Sequence, residues 1–439
     1  MIRMATLSTH VLAACVLVAG ISACTQSDPV DDTALDLTLE SLVTANGQRP
    51  VSTFLLPDDG DFAALPQDPR NPLTPEKVAL GRLLFHETAL ATRPRQAAGR
   101  GTYSCATCHH ADAGFQAGAQ RAISEGGLGW GATRRPNPAW PIEDVDMLPI
   151  RSPSALNGAW QRVMMWSGNL GANGPNAFVG TTWPDGSPEH LNQLGYDGLE
   201  TQAIAALSVH RMDDLDGTIL ESNPTYVAMW NAVWPGEPVS LERMGLAIAA
   251  YERTLLANRA PFQRWLRGEF GAMSASEKEG AILFFGKAKC AECHTGPALN
   301  QMAFYALGMP DMPGVASDSK TSAGRGGFTG AEADRHTFKV PQLYNLADSP
   351  FLGHGGTFNS IRDVVEYYNA GIPAVALPPG RVTPQFRPLA LTGREMDRLA
   401  AFLEHALRDP DLDRYVPSAL PSGNCFPAND PEARQALGC

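Results

Sequence analysis

The chain has 439 residues, 44% of them hydrophobic and 18% charged. It is long enough for two or three ordinary domains and apolar enough to fill their cores, which excludes a disordered chain. The net charge of −12 speaks against nucleic acid as a partner, because that binding rests on Lys and Arg neutralising phosphates.

Arg3 is the only charged residue before Asp28, and VLAACVLVAGI (11–21) is an apolar run too short to span a bilayer. The pattern predicts a secretory signal over 1–23. The run ends in ISAC, which resembles the lipobox of bacterial lipoproteins, with Cys24 as the lipid-bearing first residue; a plain signal cut near Ala23 is the alternative. An acylated Cys24 would hold the chain on a membrane surface, each buried methylene contributing about 0.8 kcal/mol. Thr25 after that cysteine, by the Gram-negative sorting pattern, implies the outer membrane facing the periplasm. The polar, acidic stretch that follows reads as a flexible tether over 24–70.

Helical patterns begin at LTPEKVALGRLLFHE (73–87), with Thr74 as cap and Pro75 at the first position. Residues 116–200 are rich in Gly, Pro, Asn and Trp without clean periodicity, as expected of ordered loops wrapped around something large and apolar. In LERMGLAIAAYERTLL, Leu241, Met244, Ile248, Tyr251 and Leu255 share a face. SASEKEGAILFFGKAKC opens with a capping box, Ser274 to Glu277. LTGREMDRLAAFLEHAL has another, Thr392 to Glu395, with Leu391 and Met396 as a hydrophobic staple. Alternating strand patterns are few, so the chain reads as mainly α.

Of eight cysteines, Cys15 falls in the signal and Cys24 at its lipobox. Cys425 and Cys439 stand near the C-terminus, where pairing would tie down the tail in an oxidising compartment. The remaining four form Cys105-Ala-Thr-Cys108-His109 and Cys290-Ala-Glu-Cys293-His294. Both match the C-x-x-C-H attachment pattern of c-type haem, in which two thiols add to two vinyl groups and the next residue sets an imidazole under the iron. One such match is expected by chance only ~0.003 times at this composition. Paired zinc C-x-x-C motifs sit closer together, and a thioredoxin-like dithiol wants a βαβ context absent here. His110 reads as a solvated neighbour.

Several further stretches, in order, resemble the bacterial dihaem cytochrome c peroxidase/MauG-type family: LGRLLFHE, YSCATCHHADAGF, YERTL, GAILFFGKAKCAECHTGP and DRHTFKVPQLYNLADSPFLGHGGTFNSIRDVVEYYNAG. The resemblance runs from about residue 72 to 408. It implies two cytochrome c-like domains packed face to face, each with one covalent haem c: an N-terminal, peroxide-binding domain over 71–268 and a C-terminal, electron-transfer domain over 269–409, with a tail at 410–439.

By that resemblance the C-terminal haem takes its sixth ligand fourteen residues after the motif histidine, His354, which is Tyr368. Independently, a helix capped by Ser360 would put Ile361, Val364, Val365 and Tyr368 on one face, whereas Tyr367 projects elsewhere; a buried structural Tyr368 is the alternative. The His109 haem is then the peroxide site. Glu125 stands where peroxidases of the family carry a switchable histidine, Gln202 matches a distal glutamine, and Met212 replaces the acid–base Glu expected ten residues later. His210 or Asp213 would have to substitute. Trp166 matches the tryptophan between the haems. Arg151, itself a cation, stands where the family places an Asn that binds calcium, which speaks against calcium.

The expected activity is reduction of hydrogen peroxide, with oxidising equivalents passing to a small c-type cytochrome or a protein substrate. A non-catalytic dihaem electron carrier is the rival.

Overall fold

The computed structural model describes residues 32–47, 50–179, 183–213, 215 and 218–439. The expected signal and the lipobox cysteine Cys24 lie outside these residues. Among the described residues, no helix is long and apolar enough to cross a membrane.

The chain is mainly helical. In order come α1 (Asp32–Gly47), α2 (Pro75–His86), the single turn α3 (Cys105–Cys108), α4 (Gly198–Val209), α5 (Ile219–Ser222), α6 (Pro224–Val233) and α7 (Leu241–Glu252). Then follow α8 (Pro261–Leu266), α9 (Ala275–Phe285), α10 (Arg325–Thr329), α11 (Ile361–Ala370), α12 (Gly393–Ala401) and α13 (Pro431–Leu437). Two short antiparallel pairs complete it: β1 (Gly127–Leu128) with β2 (Arg135–Pro136), and β3 (Gln301–Tyr305) with β4 (Phe338–Val340). In the second pair Gln301 faces Val340 and Tyr305 faces Phe338.

Helix starts follow local chemistry. The Thr74 hydroxyl accepts from Lys77 N–H with Pro75 at the first position, Ser274 and Glu277 form one capping box, and Thr392 and Glu395 another. Each such cap satisfies donors that a helix leaves unpaired, worth about 1 kcal/mol. The last expected helix is not α-helical throughout: α12 ends at Ala401 and continues as a widened π-turn over Phe402–Ala406.

Helices α2, α4, α6 and α7 pack as one group, and α1, α9 and α12 as another. Both rely on close backbone approach. A methyl at Gly81 would stand 1.8 Å from the Ala247 carbonyl oxygen where α2 crosses α7, and one at Gly280 would stand 2.0 Å from that of Arg398 where α9 crosses α12. One hydrophobic core runs through both groups. Phe262 lies at its centre, 5.9 Å from the ring of Phe285 and 5.4 Å from that of Phe402.

The flexible tether expected over 24–70 is corrected for its described part. Leu39 and Val43 on α1 are fully buried against the second group, Asp36 pairs with Lys278 at 2.9 Å, and Phe54 and Leu56 are buried beyond it. An apolar pair at i and i+4 inside an acidic segment is enough to dock a helix, and composition alone hides it.

The tail is tied down by a disulfide between Cys425 and Cys439, with Cα atoms 5.9 Å apart. It packs on the first cysteine motif: Tyr103 bridges to Ala428, and Asp430 forms a buried ion pair with Arg134 at 3.1 Å.

Candidate functional site

Around the second motif lies a cavity of about 390 Å³. Its walls include Cys290, Cys293, His294, Trp166, His354 and Tyr368, drawn from three distant stretches of chain. The His294 Nδ1 donates to the carbonyls of Leu299 and Pro341 at 3.0 and 3.1 Å. This fixes the tautomer and leaves Nε2 with its lone pair, the arrangement seen in metal-binding histidines. Burial lowers the imidazole pKa to about 4, so it is neutral at pH 7, as ligation requires.

Ser360 caps α11 through Asp363 N–H at 3.0 Å. Ile361, Val364, Val365 and Tyr368 then all face the cavity. Burial pushes the Tyr368 phenol well above its ordinary pKa, and its hydroxyl makes no hydrogen bond among the described residues. The Tyr367 hydroxyl instead donates to the Leu307 carbonyl at 2.6 Å.

The first motif forms the turn α3. Thr107 accepts from Ser104 N–H at 2.9 Å and donates to the Pro427 carbonyl at 2.6 Å, so the tail holds the motif in place. His109 repeats the pattern of His294: Nδ1 donates to the Phe115 carbonyl at 3.2 Å, and burial lowers its pKa to about 4. Its Nε2 accepts from the Ser152 hydroxyl at 3.1 Å, the contact that a metal would replace. The four cysteines of both motifs are free thiols. Thiol pairs and neutral imidazoles with one nitrogen anchored fit the ligand chemistry of a c-type haem at each motif, and beside the second lies a roomy apolar cavity as well.

A small cavity of about 50 Å³ adjoins Cys105, Cys108 and His109. Gln202 and His210 both line it, as do Met212 and Glu252. His210 Nδ1 donates to Asp146 at 2.9 Å, and Asp146 also takes Arg211 at 2.8 Å. Burial raises the Asp146 pKa, but His210, Ser124 and Arg211 outweigh it and hold the carboxyl well below its usual range. Asp213, the other substitute considered, turns away to pair with Arg93 at 2.8 Å. Glu125, at the switch position, is buried, accepts from the Arg95 amide and holds Arg211 at 2.5 Å.

His110 is a correction. It is buried rather than solvated, edge-on to Trp130 at 5.7 Å, and lines neither cavity, because the loop carrying β1 and β2 folds over it.

Trp166 and His354 meet in the wall of the large cavity, with ring centroids 6.2 Å apart. The indole N–H donates to the Arg151 carbonyl at 2.8 Å, and Arg151 N–H donates to the His354 carbonyl at 2.8 Å. His354 stacks on Phe338 at 3.8 Å and turns Nε2 to Asp311 at 3.0 Å. The Arg151 guanidinium donates to the carbonyls of Ala117 and Ala119, both at 2.7 Å, and to Ser349, so a cation already sits among these oxygens. Lys339 is equally buried in the wall of the large cavity, and burial lowers its pKa to about 7.

Sequence reasoning did not find Ser152, Asp146, Lys339 or Glu252. Ser152 and Asp146 carry no local motif, and Lys339 lies inside the quoted DRHTFKVPQLYNL stretch, which served for resemblance and not for chemistry. Glu252 sits inside YERTL, a stretch used for resemblance and not for chemistry.

The family model of the di-haem cytochrome c peroxidases matches residues 75–270. The methylamine utilization protein MauG of Methylorubrum extorquens is 30% identical over 355 residues, 79% of this chain and 82% of that protein. Cytochrome-c peroxidase IdrP1 of Denitromonas iodatirespirans is 29% identical over 377 residues, 79% of this chain and 86% of that protein. Among solved structures, a MauG-like protein associated with microbial copper homeostasis has the same fold at a TM-score of 0.58 and 23% identity, covering 81% of this chain and 95% of its own.

Proposed function

Because this chain belongs to the di-haem cytochrome c peroxidase and MauG family and is a di-haem peroxidase-like enzyme, we propose that it reduces hydrogen peroxide at a haem on His109 and passes oxidising equivalents toward a second haem on His294. The two haems would be held through Cys105 and Cys108, and through Cys290 and Cys293, in two cytochrome c-like halves packed face to face. A bound haem supplies the electrons that peroxide cleavage consumes and stores the oxidising equivalents that result.

The chain's own residues do the rest. Gln202 offers an amide to orient peroxide in the small cavity. His210, steered by Asp146, stands at that cavity as a group able to move a proton. Tyr368 would close the far side of the His294 site; a phenolate there favours ferric iron over ferrous. Trp166 bridges the two sites. With a Tyr at 368 and a salt-bridged Glu125 where a switchable histidine is expected, the MauG-like side of the family is favoured, and the outlet is a protein substrate or a small c-type cytochrome. We further propose export to the periplasm, with Cys24 lipidated at the outer membrane.

The observation that carries this reading is the convergence of Cys290, Cys293, His294, Tyr368, Trp166 and His354 on one cavity. The test is titration of the as-isolated diferric protein with one equivalent of hydrogen peroxide. Prompt loss of the high-spin ferric signal with changes at both haems is expected. Reaction only after one-electron reduction would assign it to the switchable peroxidases, and silence in both states would make it an electron carrier.

A further inference from the structure

We propose that Glu252 is the proton-holding acid of the cavity beside His109. The proposal rests on the reading that peroxide reacts there. Glu252 closes α7, is 5% exposed and lines the same small cavity as Gln202 and His109. Its Oε2 is buried with no hydrogen-bond partner. The neighbouring Arg253 does not serve it, because Nε and Nη2 of that guanidinium both go to Glu200, at 2.9 and 2.5 Å.

A carboxyl buried without a cation or a donor is stable as the neutral acid. Burial, reinforced by the charge of Glu200 and partly offset by Arg253, pushes the Glu252 pKa up to about 8. The titratable groups around it are Glu200 on α4, Tyr251 and Arg253 on its own element, and Cys105, Tyr103 and His210 across the cavity; Arg82 on α2 acts on Tyr251. None of these supplies a full positive charge directed at its carboxyl.

A neutral carboxylic acid is suited to a peroxide because it carries a proton on one oxygen and a lone pair on the other. The Glu252 C=O takes the proton from one peroxide oxygen while its O–H gives a proton to the other. One peroxide O–H bond breaks, one forms, the carboxyl ends as it began, and no electron moves in this step. Met212, at the place where the resemblance leads one to expect an acid, has no proton to give, and His210, 24% exposed with Nδ1 on Asp146, keeps only Nε2 for the cavity, one site where the transfer uses two.

The test uses the ferric holoprotein and fluoride, a small anion that binds an open ferric haem. At pH 7 the fluoride-induced infrared difference spectrum is expected to show a perturbed protonated-carboxyl band, absent in Glu252→Gln and fading above about pH 8 in the unmodified protein. Glu252→Gln is expected to slow the peroxide reaction by about 10²–10⁴-fold. Glu252→Asp, the second variant, keeps a carboxyl band at a shifted position and recovers part of the rate. The band surviving in Glu252→Gln, or vanishing in His210→Gln while Glu252 is intact, overturns the proposal. Fluoride binding with no carboxyl band overturns it while leaving the open His109 haem standing, whereas no fluoride binding in the visible spectrum removes that haem reading and this proposal with it.

Discussion

The indole N–H of Trp166 donates to the backbone carbonyl of Arg151 at 2.8 Å, and Arg151 is 2% exposed. A side chain and a main chain are thereby locked together at the point where the stretch following the first cysteine motif meets the wall of the second cavity. The Arg151 amide reaches on to the His354 carbonyl at 2.8 Å, so the residue that holds the indole is itself tied to the His354 segment.

Trp166→Phe removes this bond and the indole while keeping an aromatic ring. The resting spectra of both haems should be unchanged, and transfer of oxidising equivalents between them after peroxide should slow by about tenfold or more, a barrier increase of about 1.4 kcal/mol or above. Stopped-flow absorption after one equivalent of peroxide checks this, and equal rates in both proteins would remove Trp166 from the path.

Tyr368 lines the cavity beside His294, and among the described residues its hydroxyl has no hydrogen-bond partner. Tyr368→Met should raise the reduction potential of one haem by on the order of 100 mV, since axial-ligand identity moves haem potentials over a range of roughly 0.8 V. Tyr368→Phe should leave that iron open to small ligands. Potentiometric titration with optical detection reads both, and unmoved potentials would return Tyr368 to a packing role.

Cys425 and Cys439 close a short loop, with a sequence separation of 14. Replacing both with Ser should cost about 3 kcal/mol, read as a lower urea midpoint. Because Pro427 takes the Thr107 hydroxyl, the loss should also loosen the first cysteine motif, visible as altered ligand-binding rates at His109 with His294 unaffected.

Asp146 holds His210 and Arg211 together. Its folded pKa lies below the unfolded value, so its contribution is present above about pH 4 and is lost as pH falls through the folded pKa. Asp146→Asn should therefore destabilise by about 2 kcal/mol at pH 7, with the difference from the unmodified protein shrinking below pH 4. Urea melts across that range test the sign: a difference that grows in acid would contradict it.

The helices were legible in the sequence wherever a cap and an apolar period coincide, as at Thr74, Ser274, Ser360 and Thr392. Helix α1 was not, because its buried face is two residues, Leu39 and Val43, inside an acidic run. The same contrast divides the site. Cys105 to His109 and Cys290 to His294 are contiguous, since attachment of one porphyrin needs two thiols and an imidazole at fixed spacing on a single turn. Tyr368 came from the resemblance, fourteen residues after His354, and the helical period behind the Ser360 cap agreed with it.

What the sequence by itself determined are the elements whose chemistry is local: the two C-x-x-C-H motifs, the caps and the helical face that carries Tyr368. Only the tertiary structure decided the pairings across long separations. His210 meets Asp146 from 64 positions away, Arg134 meets Asp430 from 296 and Thr107 meets Pro427 from 320. Tertiary structure likewise buried His110 and left Glu252 without a partner in a cavity. Solvent exclusion and the supply of partners, which set a side chain's charge and reach, belong to the folded surroundings and not to its sequence neighbours.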